Sequence, residues 1–83
     1  MSALPSSEPC HRSFRLTAVA DPGLLPRVLE PFAKRGLVPE RLRAERRGEM
    51  LVVELTADLP DGIASLVAAA LSGVVGVTLL AAD

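Results

Sequence analysis

The chain has no tryptophan, tyrosine, asparagine or glutamine, two phenylalanines (Phe14 and Phe32), one cysteine (Cys10) and one histidine (His11). A single cysteine forms no intramolecular disulfide. Cys10 with His11 supplies at most two of the four ligands that a structural zinc needs, so no metal is expected. Nucleophilic catalysis by serine or cysteine needs a positioned base. The one histidine falls in residues 1–12, where Pro5, Ser6, Ser7 and Pro9 read as a flexible N-terminal tail, so no catalytic residue and no cofactor is expected. The first residues lack a basic segment followed by an apolar run, so the expected location is cytoplasmic. An excess of one charge is also lacking: the net charge is −1 and the isoelectric point about 5.7. Such a balance offers no general attraction to nucleic acid or an anionic membrane.

What is present is a globular composition, 83 residues with 49% hydrophobic and 23% charged side chains. That content is far from the low-hydrophobicity, high-charge signature of disorder. A chain of this size buries only ~60% of its unfolded surface, which leaves room for one small core and one domain, here residues 13–83. Residues 63–82 carry no charge and are long enough to span a bilayer. Ser72, Gly73 and Gly76 interrupt that stretch, its ends carry Asp61 and Asp83 rather than lysine or arginine, and removing it would take from the remaining strands about half their apolar packing partners. No membrane association is expected.

Residues 13–19 alternate, with Phe14, Leu16 and Ala18 on one face and Arg15, Thr17 and Val19 on the other, the period of a half-buried strand. Asp21, Pro22 and Gly23 end the alternation. Leu24, Leu25, Val28, Leu29 and Phe32 then fall at helical spacing, with Gly36 as the C-terminal cap. Pro26 is tolerated near the start of that helix, whereas Pro31 predicts a kink or break between residues 27 and 31. Residues 37–46 read as an edge strand, since Pro39 has no donor and the arginines are interleaved with glutamates. Arg47, Gly48 and Glu49 make a tight turn, and residues 50–57 form the next strand. Asp61 is the expected N-cap of a second helix with the stripe Ile63, Leu66, Val67, Ala70 and Leu71, and residues 74–80 supply a last strand.

The order strand, helix, strand, strand, helix, strand gives an α+β fold, the ferredoxin-like βαββαβ pattern: a four-stranded antiparallel sheet with two helices on one face. The face away from the helices would carry Arg15, Thr17, Val19, Val52, Glu54 and Thr56, a mixture suited to a chain that oligomerises. Many functions share this fold, so the residues must choose among them. RNA recognition needs stacking aromatics on the central strands, and none stand there. A copper-chaperone type needs a Cys-x-x-Cys pair after the first strand, and an acylphosphatase type needs an asparagine to position water; both are missing.

One resemblance is specific in its order and spacing. The stretch of Thr17, Ala18, Val19, Ala20, Asp21, Pro22, Gly23, Leu24, Leu25, Pro26, Arg27, Val28 and Leu29, followed by Phe32, Ala33, Lys34, Arg35, Gly36 and Leu37, resembles the opening of an ACT domain. The similarity is greatest to the acetolactate synthase (acetohydroxyacid synthase) small subunit, and Val53, Glu54, Leu55 and Thr56 with residues 77–80 extend it over residues 13–80. The resemblance implies a non-catalytic regulatory subunit in branched-chain amino acid biosynthesis, acting on the catalytic subunit of acetolactate synthase. It further implies a homodimer or higher even oligomer whose sheets join side by side. A valine-like amino-acid effector would lie between Asp21, Gly23, Leu24 and Leu25 of one copy and Gly36, Leu37 and Val38 of the other. The physics agrees in outline, since amides at a helix N-terminus accept a carboxylate and Asp21 could hold an ammonium group. Three readings stay open beside it: a turn at residues 21–23 that only caps a helix, a free-standing ACT-like amino-acid sensor acting on another protein, and a ligand-free oligomerisation module. Arg41, Arg43, Arg46 and Arg47 are either a docking patch for an acidic partner or a solvated edge.

Overall fold

The computed structural model describes residues 8–83. The elements are β1 (Cys10–Val19), α1 (Leu24–Ala33), β2 (Arg41–Arg47), β3 (Met50–Leu59), α2 (Asp61–Ser72) and β4 (Val77–Ala82). They form one antiparallel sheet in the order β2-β3-β1-β4, with two helices, and this is the ferredoxin-like βαββαβ arrangement. The alternation read in the sequence decides which face the helices cover. Phe14, Leu16 and Ala18 of β1 and Val53, Leu55, Ala57 and Leu59 of β3 are buried together with Leu24, Val28 and Phe32 of α1 and Val67 and Leu71 of α2. Leu51 packs at the margin of this core, partly buried.

Several expectations are corrected. β1 begins at Cys10, not at residue 13, because the ladder continues past Ser13 with Cys10 opposite Leu59, His11 opposite Asp58 and Arg12 opposite Ala57. Of the expected tail, residues 1–7 lie outside the described residues. Arg12 is held further by its Nε, which donates to the Leu59 carbonyl at 3.1 Å, and by an ion pair with Asp61.

Helix α1 runs unbroken through Pro31. In a helix of ten residues proline removes a single hydrogen bond, and here its ring is buried with Val28 and Phe32, so packing outweighs the loss. The Arg35 guanidinium donates to the Pro31 carbonyl at 2.8 Å, and the chain then leaves the helix through a paired cap. Gly36 N donates to Ala33 O at 3.1 Å and Leu37 N to Phe32 O at 2.9 Å, with Gly36 at φ +66°. This is the Schellman arrangement, in which glycine carries the left-handed residue without a Cβ clash.

β2 starts at Arg41 rather than residue 37, after Pro39, and is the sheet edge expected of it. Gly48 and Glu49 make the two-residue loop to β3, and β3 runs on to Leu59. Asp61 is not the N-cap of α2. Pro60 holds that position and Asp61 is the first helical residue, where its carboxylate meets Arg12 and favours the positive end of the helix dipole. Leu66 is 53% exposed rather than part of the core, since the buried stripe runs through Val67 and Leu71 with Ile63, Ala64 and Ala68 beside it. β4 starts at Val77, after the positive-φ Gly76, and a bulge opposite Arg15 and Leu16 leaves Leu80 exposed. Among the described residues no helix is long and apolar enough to cross a membrane.

Candidate functional site

The turn between β1 and α1 is built around the carboxylate of Asp21. Its Oδ2 accepts the Gly23 amide at 3.0 Å and the Arg27 guanidinium at 3.1 Å, while the Asp21 carbonyl accepts the Leu24 amide at 3.0 Å. Aspartate after a strand favours this self-bonding turn because its short side chain reaches the amide two residues on. Gly23 is needed here for space rather than for backbone angle: a Cβ would stand 2.9 Å from Arg27 Nη1 and 3.2 Å from Asp21 Oδ2. The Gly23 and Leu24 amides, read from the sequence as a cradle for a carboxylate, are therefore engaged inside the turn. Asp21, read as the partner of an ammonium group, faces Arg27.

The other half of the expected site lies elsewhere in the same chain. Gly36, Leu37 and Val38 follow the C-terminal end of α1, and a ten-residue helix is ~15 Å long. One chain thus brings Asp21, Gly23 and Leu24 together at one end of α1 and Gly36 and Leu37 at the other, and does not close the two groups around a common cavity. Leu24 is a core residue, Leu25 and Leu37 pack partly against the core, and Val38 is 84% exposed.

A hollow of about 340 Å³ runs between α1 and the C-terminal end of α2, lined by Arg27, Glu30, Lys34, Arg35, Ala70 and Val74 among others. Its charges are mutually engaged, with Arg27 on Asp21 and Lys34 Nζ 3.6 Å from Glu30 Oε1. Among the described residues no polar or charged side chain is buried. On the face of the sheet away from the helices, Arg43, Glu54 and Arg15 stand side by side across β2, β3 and β1, with Glu45, Val52 and Thr17 in the next row.

This fold, with a capped turn after β1 and a glycine-terminated α1, defines a small ferredoxin-like module. The family model for the ACT-like domain matches residues 5–82, nearly the whole chain, and the protein belongs to that family. ACT-like domains are regulatory ligand-binding modules, not catalysts. Among solved structures the chain is similar to an uncharacterized protein of Thermotoga maritima, TM1266, with a TM-score of 0.76, 10% identity, and coverage of 92% of this chain and 96% of that one. At that identity the likeness is one of fold. No curated protein matches the sequence.

Proposed function

We propose that the chain is a non-catalytic regulatory subunit that modulates acetolactate synthase in branched-chain amino acid biosynthesis. Two copies join side by side, and an amino acid of valine type is held where they meet. The observation that carries this reading is the separation of the two half-sites along α1. Asp21, Gly23, Leu24 and Leu25 stand at one end and Gly36, Leu37 and Val38 at the other, so a ligand touching both must sit between two copies. Residues 36–38 lead into the edge strand β2, and the 84% exposure of Val38 beside that edge supports a second copy joining there.

β2 is exposed along its whole length. Antiparallel pairing of β2 with a second β2 centred on Ala44 sets Arg43 opposite Glu45 twice and Arg41 opposite Arg47 twice, all on the same face of the enlarged sheet. The attractive and repulsive pairs offset each other, and main-chain pairing along the open edge is what supports the union. Effector binding in this dimer requires the Gly23 amide to exchange the Asp21 carboxylate for that of the ligand, while Asp21 turns to the ligand's ammonium group.

A second reading, a ligand-free oligomerisation module, is favoured by one observation: Asp21 already satisfies the turn through Gly23 and Arg27.

Two measurements separate these readings. Co-purification with the acetolactate synthase catalytic subunit under mild lysis is expected, and its failure removes that enzyme as the partner. Thermal unfolding with valine, leucine or isoleucine, followed by circular dichroism, reports the effector. A ligand at about 100 times its dissociation constant adds ~2.7 kcal/mol to the native state, a shift of many degrees for so small a domain. Replacing Gly23 by leucine is expected to abolish that shift. Absence of any shift in the unaltered protein leaves the oligomerisation module.

A further inference from the structure

At the end of the sheet where β1 begins, three side chains from three separate segments converge. His11 on β1 stands directly opposite Asp58 on β3, both on the face away from the helices. Glu40 enters from the residues before β2, and its backbone N–H donates to the Thr56 carbonyl at 2.8 Å, which sets it beside the same end of β3. His11 Nδ1 lies 3.7 Å from Asp58 Oδ1 and 3.8 Å from Glu40 Oε1, and the ligand atoms of all three residues lie within 4.8 Å of one another. His11, Glu40, Arg41 and Thr56 line a shallow hollow at this place.

From this arrangement we propose that His11, Glu40 and Asp58 form a binding site for a divalent transition-metal cation of zinc type, with water completing its coordination. The N···O separations are too long for hydrogen bonds and close to what a shared ion requires. Zinc bonds of ~2.0–2.2 Å to nitrogen and oxygen put tetrahedral neighbours about 3.3–3.5 Å apart. The two His11 contacts lie within a few tenths of an ångström of that, and rotation of the exposed Glu40 and Asp58 side chains by about 1 Å brings the carboxylates, within 4.8 Å of each other, into the same set. One imidazole nitrogen and two carboxylates form a donor set suited to first-row divalent metals, and the imidazole disfavours calcium and magnesium, which take oxygen ligands. Two neighbouring carboxylates repel each other, and a cation between them removes that cost. The backbones of all three ligands are already fixed by sheet hydrogen bonds, so little ordering remains to oppose binding. Cys10 is no part of the set, because alternation along β1 turns it to the opposite face. A bound ion would tie the segment entering β2 to β1 and β3. This proposal is independent of the effector reading above.

The test is calorimetric titration of the chelator-treated full chain with zinc chloride, on the unaltered protein and on His11→Ala, Asp58→Asn, Glu40→Gln and Cys10→Ser. The expected result is one zinc per chain, with affinity reduced about tenfold or more by each of the first three changes and unaltered by Cys10→Ser. The three ligand side chains are half exposed or more (66% for His11, 54% for Glu40, 52% for Asp58), so the variants keep the fold, which far-ultraviolet circular dichroism verifies. Should one variant unfold, the other two decide. Absence of saturable binding, unchanged affinity in the folded ligand variants, or loss of binding in Cys10→Ser overturns the site.

Discussion

The rings of Phe14 on β1 and Phe32 on α1 meet edge to face, their centroids 6.2 Å apart and their planes at 83°, and both are fully buried. These are the only aromatic residues in the chain, and their contact joins the sheet to the helix that ends at Gly36. Edge-to-face pairs contribute ~0.5–1.5 kcal/mol beyond the area they bury. Phe32→Ala removes that contact and leaves a cavity, at a cost of ~3–5 kcal/mol. In a domain whose whole stability is of order 5 kcal/mol, the variant is expected to be largely unfolded in a urea titration. A cost below about 2 kcal/mol would mean that the core repacks around the space.

The turn around Gly23 predicts a coupling. In the unaltered chain Gly23→Ala pushes Arg27 away from Asp21, losing a half-exposed ion pair of 0 to ~1 kcal/mol, while the added methyl restricts the unfolded chain by ~0.4–1 kcal/mol. The two effects nearly cancel. In an Arg27→Ala background the 2.9 Å obstruction is gone and only the 3.2 Å contact with Asp21 Oδ2 remains, so Gly23→Ala is expected to be more favourable than in the unaltered chain, by up to ~1 kcal/mol. A double-mutant cycle from urea unfolding measures the difference, and strict additivity would show that Arg27 does not press on Gly23 in solution.

Two further glycines are predicted to respond in opposite directions to alanine. Gly36, at φ +66°, occupies the left-handed region, so Gly36→Ala costs ~1–2 kcal/mol even though a Cβ would meet no atom within 4 Å. Gly62 lies in the first turn of α2 with equally open space and ordinary backbone angles, so Gly62→Ala stabilises by ~0.5–1 kcal/mol. Thermal melts of the two variants moving the same way would contradict the assigned cap.

The ion pair of Arg12 and Asp61 joins the start of β1 to the start of α2, and the Arg12 side chain is only 19% exposed. Asp61→Asn leaves that cation with a weaker partner and removes a favourable charge from the first turn of α2, at a cost of about 1–2 kcal/mol. Asp61→Glu restores part of it. Equal stability of the three proteins in urea would mean that Arg12 is held by the Leu59 carbonyl and its packing alone.

Much of the fold was legible in the order of residues because its signals are local. Phe14, Leu16 and Ala18 alternate with Arg15, Thr17 and Val19, and this period assigns a strand and its buried face from neighbours alone. Leu24, Val28 and Phe32 at helical spacing, and glycine where a left-handed residue ends the helix, are signals of the same kind. Pro31 misled the reading for a complementary reason. Its local penalty is real, but the energy that keeps α1 whole comes from burial of its ring, which depends on distant partners.

The candidate site was legible in part. The Asp21, Pro22 and Gly23 turn was visible, whereas its closure by Arg27 depends on a side chain returning from one helical turn later.

By itself, then, the order of residues determined the sequence of elements, the buried face of each central strand and the glycine caps, since each rests on interactions spanning a few residues. Only the tertiary structure decided that Cys10, His11 and Arg12 are strand rather than tail, because their partners Leu59, Asp58 and Ala57 lie on a strand reached only after α1 and β2. It also decided that Asp61 serves Arg12, 49 positions away, and that His11 meets both Glu40 and Asp58. Such meetings are settled by strand order and register, which arise when the whole core packs at once and leave no periodic trace along the chain.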